Sequence, residues 1–311
     1  MSSPALLPNS KFFDLGDAKR MRYALFEPEK AHATLLITPG RREFIEKKFA
    51  ELGEEFLQRN FRLIIVEWRG QGLSDRLLTG ARRQRDHAIT FDTHIQDLHA
   101  FYEKVVRPCQ TGPLFVSGHS MGGHLILRWL VEKQMCDAVK GVLLTAPMLA
   151  LATLPAHTVA RGMSWTAVKL GHGADYAPAQ HDYGPPDYDF KTNPLTHDPD
   201  RFAIMEKYFK AHPDLTVSGV TWGWLDAALK SMHHIQQRRY FEHLDLPLLN
   251  IVGSADRVTP AEELSRVIKR MPRAQNIVIP HAYHDIMNET DLYRLEAWKH
   301  IDAFLAKLKF S

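Results

Sequence analysis

Residues 118–122 read Gly118-His119-Ser120-Met121-Gly122, the spacing G-x-S-x-G. A serine so placed can attack an acyl carbonyl if a sharp turn lifts its hydroxyl clear of the backbone. A helix N-terminus aimed at that turn then stabilises negative charge beside it. The pentapeptide is too short to carry this alone, so the flanks decide. Leu114-Phe115-Val116 is an apolar run of strand type directly before it. Leu125, Ile126, Trp129 and Leu130 repeat with helical spacing directly after it. Glycines at 118 and 122 admit the crowding of such a turn.

A serine hydroxyl needs a base, and the base needs a group to orient it. On a strand–turn–helix nucleophile the chain order is serine, acid, histidine. The run Leu248 to Val252 followed by Gly253-Ser254-Ala255-Asp256 supplies the acid, Asp256. Asp245 precedes that run and would lie at the opposite edge of a sheet. After the next apolar run, Asn276 to Ile279, come His281 and His284. His281 abuts the strand end, where a side chain is more often structural. His284 sits further out and is the assigned base, with His281 as its competitor. Two backbone N–H donors must receive the oxyanion. The residue after the nucleophile, Met121, gives one. Arg41, in the loop Pro39-Gly40-Arg41 after the run Thr34 to Thr38, gives the other.

The elements that hold these loops follow from periodicity. Lys11 to Phe26 reads as a hairpin turning near Gly16-Asp17. Short apolar runs at Thr34–Thr38, Arg62–Trp68, Leu114–Ser117, Val142–Thr145, Leu246–Val252 and Asn276–Ile279 alternate with amphipathic helices. The last helix carries Leu292, Leu295, Trp298, Ile301, Leu305 and Leu308. Strands apolar on both faces between such helices imply a mostly parallel sheet covered on both sides, an α/β fold. From 151 to 244 the alternation fails, and 171–199 holds 8 Gly or Pro in 29 residues. Residues 151–244 are therefore expected to form a helical cap inserted into a core made of 1–150 and 245–311.

The 311 residues are ample for one large core. A hydrophobic content of 45% and a charged content of 24% exclude general disorder. A net charge of +3 gives no reason to expect nucleic acid as a partner. Two cysteines make no disulfide framework. The opening MSSPALLPNSKFF lacks a basic segment followed by an apolar stretch of signal length. The resulting expectation is a cytoplasmic protein, with transient contact at the inner face of a membrane allowed by its basic character. The 17 histidines show no metal-ligand spacing such as H-E-x-x-H, so neither metal nor cofactor is expected. Gly70-x-Gly72 is a turn, and Arg82-Arg83-Gln84-Arg85 reads as a solvated loop.

The segments TPGRREFIEKKFAELGEEFLQRNF, WRGQGLSDR, GHSMGG, LTAPM, GSADRVTP and AYHDIMNE resemble serine hydrolases of the α/β-hydrolase fold. Their nearest resemblance is to the bacterial lysophospholipase and monoacylglycerol lipase branch. NPLTHDPDRF and SGVTWGWL, inside the expected cap, resemble its lysophospholipase members. The resemblance spans roughly 11–308. It implies a triad of Ser120, Asp256 and His284, which settles His284 over His281, and oxyanion donors at Arg41 and Met121. Many lipases have His-Gly where this chain has Pro39-Gly40, a difference the lysophospholipase members share. The implied activity is hydrolysis of the acyl ester of a single-chain, lipid-like substrate. General carboxylesterase, thioesterase, peptidase or cofactor-free peroxidase chemistry on the same triad are alternatives, as is a non-catalytic ligand-binding relative. Residues 150–245 contain 12 of the 31 aromatics. Trp165, Trp222 and Trp224 are the candidates to line an acyl pocket under the cap. Composition does not fix oligomeric state.

Overall fold

The computed structural model describes residues 4–152 and 157–310. Eight strands form one sheet in the order β1-β2-β4-β3-β5-β6-β7-β8. They are β1 (Lys11–Asp14), β2 (Arg20–Phe26), β3 (Ala33–Thr38), β4 (Phe61–Val66), β5 (Leu114–His119), β6 (Gly141–Thr145), β7 (Leu248–Gly253) and β8 (Ala274–Ile279). β1 and β2 make the expected antiparallel hairpin, and β2 runs antiparallel to β4. From β4 to β8 every neighbouring pair is parallel. The strand ends shift from the sequence reading by one or two residues, because pairing register rather than hydrophobicity sets where a strand stops.

The sheet is covered on both faces, as parallel pairing requires. One apolar cluster joins Leu36, Ile64, Val116 and Leu144 to helix α2 (Phe91–Phe101) and helix α3 (Met121–Glu132). On the other face Leu35, Ile37, Phe115 and Ile251 meet Phe56 of the helical run α1 (45–58) and Trp298 and Ile301 of α8 (Asp291–Lys307). Side chains such as Trp129, Phe56 and Phe115 are fully buried. Each contributes on the order of 1.5–3 kcal/mol of transfer free energy relative to the exposed side chain.

Among the described residues the long interval between β6 and β7 supplies no strand to the sheet and holds three α-helices, α4 (His157–Lys169), α5 (Pro199–Ala211) and α6 (Trp222–Ile235). Asp198 caps α5 by accepting from the N–H groups of Asp200 and Arg201, both at 3.0 Å, and Pro199 takes the first helical position. Thr221 caps α6. α6 differs from the other two. Its Trp224, Leu225, Ala228, Leu229 and Met232 belong to the main core cluster beside α2 and α3. It is the crossover helix that returns the chain from β6 to the parallel strand β7. The irregular material lies before it. α5 packs through Phe209 on Phe44 and Leu215 in a small separate cluster. Helix α7 (Ala261–Ile268) fills the β7–β8 crossover. Among the described residues no helix is long and apolar enough to cross a membrane.

Candidate active site

Parallel strands deliver their following loops to one edge of the sheet, and β3, β5, β7 and β8 do so here. Ser120 stands between the last residue of β5 and the first of α3, with φ 48° and ψ −117°. A positive φ at a non-glycine residue is strained, and the surroundings hold it. Ser120 N–H donates to Thr145 O at 3.0 Å, and its carbonyl accepts from the N–H groups of His124 (3.1 Å) and Met148 (2.9 Å). The glycines are there for lack of room. A Cβ on Gly122 would lie 2.3 Å from the Thr38 carbonyl oxygen, and one on Gly118 would lie 2.7 Å from Gly123 Cα.

Asp256 and His284 come together as the spacing argument requires. His284 Nδ1 donates to Asp256 Oδ2 at 2.7 Å, and both residues are buried. The other Asp256 oxygen accepts from Val258 N–H at 2.7 Å and Thr259 N–H at 2.9 Å. Thr259 Oγ1 donates to Oδ2 at 2.7 Å. Burial opposes ionisation of Asp256, but the charge and hydrogen bond of His284 and the Thr259 donors outweigh it and hold the carboxyl below its ordinary range. A carboxylate so held keeps the proton of His284 on Nδ1 and leaves Nε2 as the basic nitrogen. His281 is an exposed turn residue with φ 65°, its N–H donating to Ser254 Oγ at 2.8 Å. Asp245 is exposed at the far edge.

The loop after β3 lies against the nucleophile. A Cβ on Gly40 would sit 3.2 Å from Ser120 Cβ. Arg41 follows Gly40 in that loop, and Met121 follows Ser120 at the start of α3. The Arg41 side chain is not a free surface arginine. It donates to Ser218 O at 3.2 Å and pairs with Asp86 at 3.5 Å. Burial lowers its pKa to about 10, so it stays charged at neutral pH.

Ser120, His284, Arg41, Arg42 and Lys47 open on a cavity of about 340 Å³, whose far wall comes from the β6–β7 interval through Tyr183, Tyr188, Leu195, Phe202 and Met205. This is the size of a small-molecule site. The three tryptophans expected there are elsewhere. Trp224 is buried against Phe91 in the core, ring centroids 5.7 Å apart. Trp222 and Trp165 line two separate open grooves on either side of α4. Their positions follow from α6 being a core helix: its first turn packs beneath α4 rather than over Ser120. The aromatic wall belongs instead to the Gly- and Pro-rich segment and α5, where the sequence gives no regular spacing to read.

Sequence reasoning also missed what lies behind the site. Glu43, Lys47, Lys48, Glu51 and Asp285 are all at most 5% exposed and form one ionic cluster. The i, i+4 spacing of Glu43, Lys47 and Glu51 was the available signal, but such pairs normally mark a solvated face. Glu43, His119 and Asp285 have the spacing of a metal site. Their carboxylates already carry the Lys47 and Lys48 ammonium groups, so a further cation would meet two positive charges there. The basic run 82–85 is exposed at Arg82 and Arg83, as expected, and it also ties to the β6–β7 interval. Arg82 pairs with Asp175 at 3.2 Å, and Arg85 donates to Ala174 O at 2.9 Å.

Residues 29–291 match the family described as "Serine aminopeptidase, S33" (Hydrolase_4). The chain belongs to this family. It is a hydrolase of the α/β-hydrolase fold. It is 26% identical over 296 residues to "Lysophospholipase L2" of Escherichia coli (strain K12), spanning 88% of this chain and 80% of that protein. It is 23% identical over 282 residues to "Probable lysophospholipase L2" of Haemophilus influenzae, spanning 90% and 86%. A soluble variant of monoglyceride lipase from Saccharomyces cerevisiae, solved with a substrate analog, superposes with a TM-score of 0.75 at 18% identity, covering 99% of this chain and 96% of that one. At that identity the superposition shows the shared fold.

Proposed function

We propose that this hydrolase cleaves the acyl ester of a single-chain glycerolipid, a lysophospholipid or monoacylglycerol, through an acyl-enzyme on Ser120. The observation that carries the reading is the cavity, with a nucleophile-elbow serine and an Asp-oriented histidine on its floor and Tyr183, Tyr188, Phe202 and Met205 across from them. The names of the L2 relatives and of the yeast lipase support the same substrate class. His284 Nε2 takes the Ser120 proton as Oγ attacks the carbonyl. Asp256 stabilises the imidazolium that results. The N–H groups of Arg41 and Met121 receive the oxyanion, His284 returns the proton to the leaving glycerol oxygen, and a water activated by the same nitrogen releases the fatty acid.

In this reading the cap is the stretch from the end of β6 to the start of α6, with α6 itself part of the core. The cap also offers a lipid surface something to hold. Val159 and Met163 on α4 and Leu170 just past its end are 54%, 49% and 70% exposed and border one groove. Arg82 and Arg85 stand near the end of that groove beside Asp175 and His172. An exposed apolar stripe with basic neighbours suits peripheral contact with an anionic bilayer from the cytoplasm. The family description names a peptidase, and Asp187, Asp189 and Glu206 on the cavity wall would suit a substrate ammonium. A panel of monoacylglycerol, lysophosphatidylcholine, lysophosphatidylethanolamine, triacylglycerol, short p-nitrophenyl esters and an aminoacyl p-nitroanilide separates the readings. Turnover of the lysolipids or monoacylglycerol is expected to exceed all others. Preference for the anilide would replace the lipid reading with the peptidase one.

A further inference from the structure

The ionic cluster behind the site joins two loops that the reaction must keep in register. Glu43 accepts the N–H of Gly40, the residue before the proposed oxyanion donor Arg41. The second Glu43 oxygen takes Lys47 Nζ at 3.0 Å and Lys48 Nζ at 2.7 Å. Lys47 Nζ also reaches Asp285 at 2.8 Å, and Asp285 follows His284 in sequence. The Asp285 N–H is held in turn by Leu195 O at 2.9 Å. One side chain thus grips the oxyanion loop directly and the histidine loop through a single ammonium. We propose that Glu43 is a positioning residue for ester hydrolysis, holding the Arg41 N–H at the height where the oxyanion forms. The inference rests on the esterase reading above.

Burial of this kind is unusual for a helix start, where a glutamate satisfies its charge in water. Here burial opposes ionisation, and Lys48 and Lys47 outweigh it, keeping Glu43 charged well below the ordinary range. A charged acceptor holds an N–H more firmly than a neutral one. Glutamine has one acceptor oxygen where the carboxylate has two. Glu43→Gln must therefore abandon either Gly40 N–H or the two ammonium groups. The loop would keep its fold and lose its fixed height. Substrate affinity does not depend on that height, whereas the oxyanion does.

The test is steady-state hydrolysis of p-nitrophenyl butyrate by wild type, Glu43→Gln and the double variant Glu43→Gln/Lys47→Met. Active sites are titrated with a fluorophosphonate, and Tm is recorded for each. The double variant removes one charge of each sign, so it keeps the cluster's net charge and serves if the single variant does not fold. Expected is a fall in kcat per titrated site of about 10- to 100-fold with KM within about twofold, less than the loss of a whole oxyanion donor. A lower Tm with fewer titratable sites but unchanged kcat per site would make Glu43 merely structural and overturn the proposal. Failure of the wild type itself to react with either reagent would instead overturn the esterase reading.

Discussion

In the proposed reaction Ser120, His284 and Asp256 divide one task, and each can be removed separately. Ser120→Ala should fold with unchanged Tm and lose turnover by about 10⁴-fold or more, because the three groups act as a unit. His284→Ala should be as damaging, whereas His281→Ala, an exposed turn substitution, should leave kcat within about threefold. Kinetics on a p-nitrophenyl ester checks the order, and a larger loss at His281 would reverse the choice of base. Thr259 extends the set. Its hydroxyl is 2.7 Å from Asp256 and 3.4 Å from His284 Nδ1. Thr259→Val keeps the shape and removes one donor to a charged acceptor, a change of about 1.5–3 kcal/mol, so kcat should fall by up to about 10- to 150-fold. Wild-type kcat in that variant would show that the backbone donors suffice. Asp256 itself stays ionised as pH falls. Its depressed carboxyl contributes stability that is present above the ordinary value of 3.8 and is lost only in stronger acid. Protonation of Asp256 should therefore not set the acid limb of activity.

At the scale of elements, the alternation of strands and helices was readable because parallel strands must be apolar on both faces and their crossovers amphipathic. The placement of Ser120, Asp256 and His284 on one edge was readable for the same reason, from chain order and strand ends. The β6–β7 interval was not. Trp222 and Trp224 carry no mark that α6 turns into the core, since an aromatic two residues from another looks alike in a cap or a core helix. Glu43, Lys47 and Glu51 look like a solvated i, i+4 ladder, yet in the fold they are buried in a cluster with Asp285 of the His284 loop. Glycine at 122 shows how tightly the elements meet. Gly122→Ala would drive a Cβ against two backbone carbonyls, those of Thr38 and Pro39, at 2.3 and 2.5 Å. Neither can swing aside as a side chain would. The variant should lose several degrees in Tm and most of its turnover, measured by thermal unfolding and ester hydrolysis. An alanine variant of wild-type stability would mean that β3 and α3 are less closely held. Met163→Ser on α4 and Leu170→Ser just past its end should leave hydrolysis of a water-soluble ester unchanged while weakening sedimentation with anionic vesicles. Equal vesicle binding would remove α4 from the membrane contact.

The whole molecule carries a pH signature that follows from its buried histidines. Burial pushes His119 down to about 4 and His124 down to about 3, from an ordinary value of 6.5. Between pH 6.5 and 4 the unfolded chain therefore binds protons that the folded chain refuses, and stability falls as pH falls. The slope is at most about 1.4 kcal/mol per pH unit for each histidine. Glu51, Glu67 and Asp86, whose carboxyls burial raises, act with the opposite sign. His124→Gln isolates one histidine: urea unfolding from pH 7 to 5 should show a flatter slope than wild type. An unchanged slope would mean that His124 titrates normally in the fold.

In the proposed reaction Ser120, under a cap that admits one acyl chain, releases fatty acid from single-chain glycerolipids. Each buried methylene contributes about 0.8 kcal/mol, so four further carbons could raise kcat/KM by up to roughly a hundredfold. The direct measurement is fatty-acid release from monoacylglycerols of increasing chain length, below their critical micelle concentrations, by wild type and Ser120→Ala with triolein alongside. Expected is kcat/KM rising from short to longer chains, no release by Ser120→Ala and little from triolein. A flat or falling series, or efficient cleavage of triolein, would contradict it.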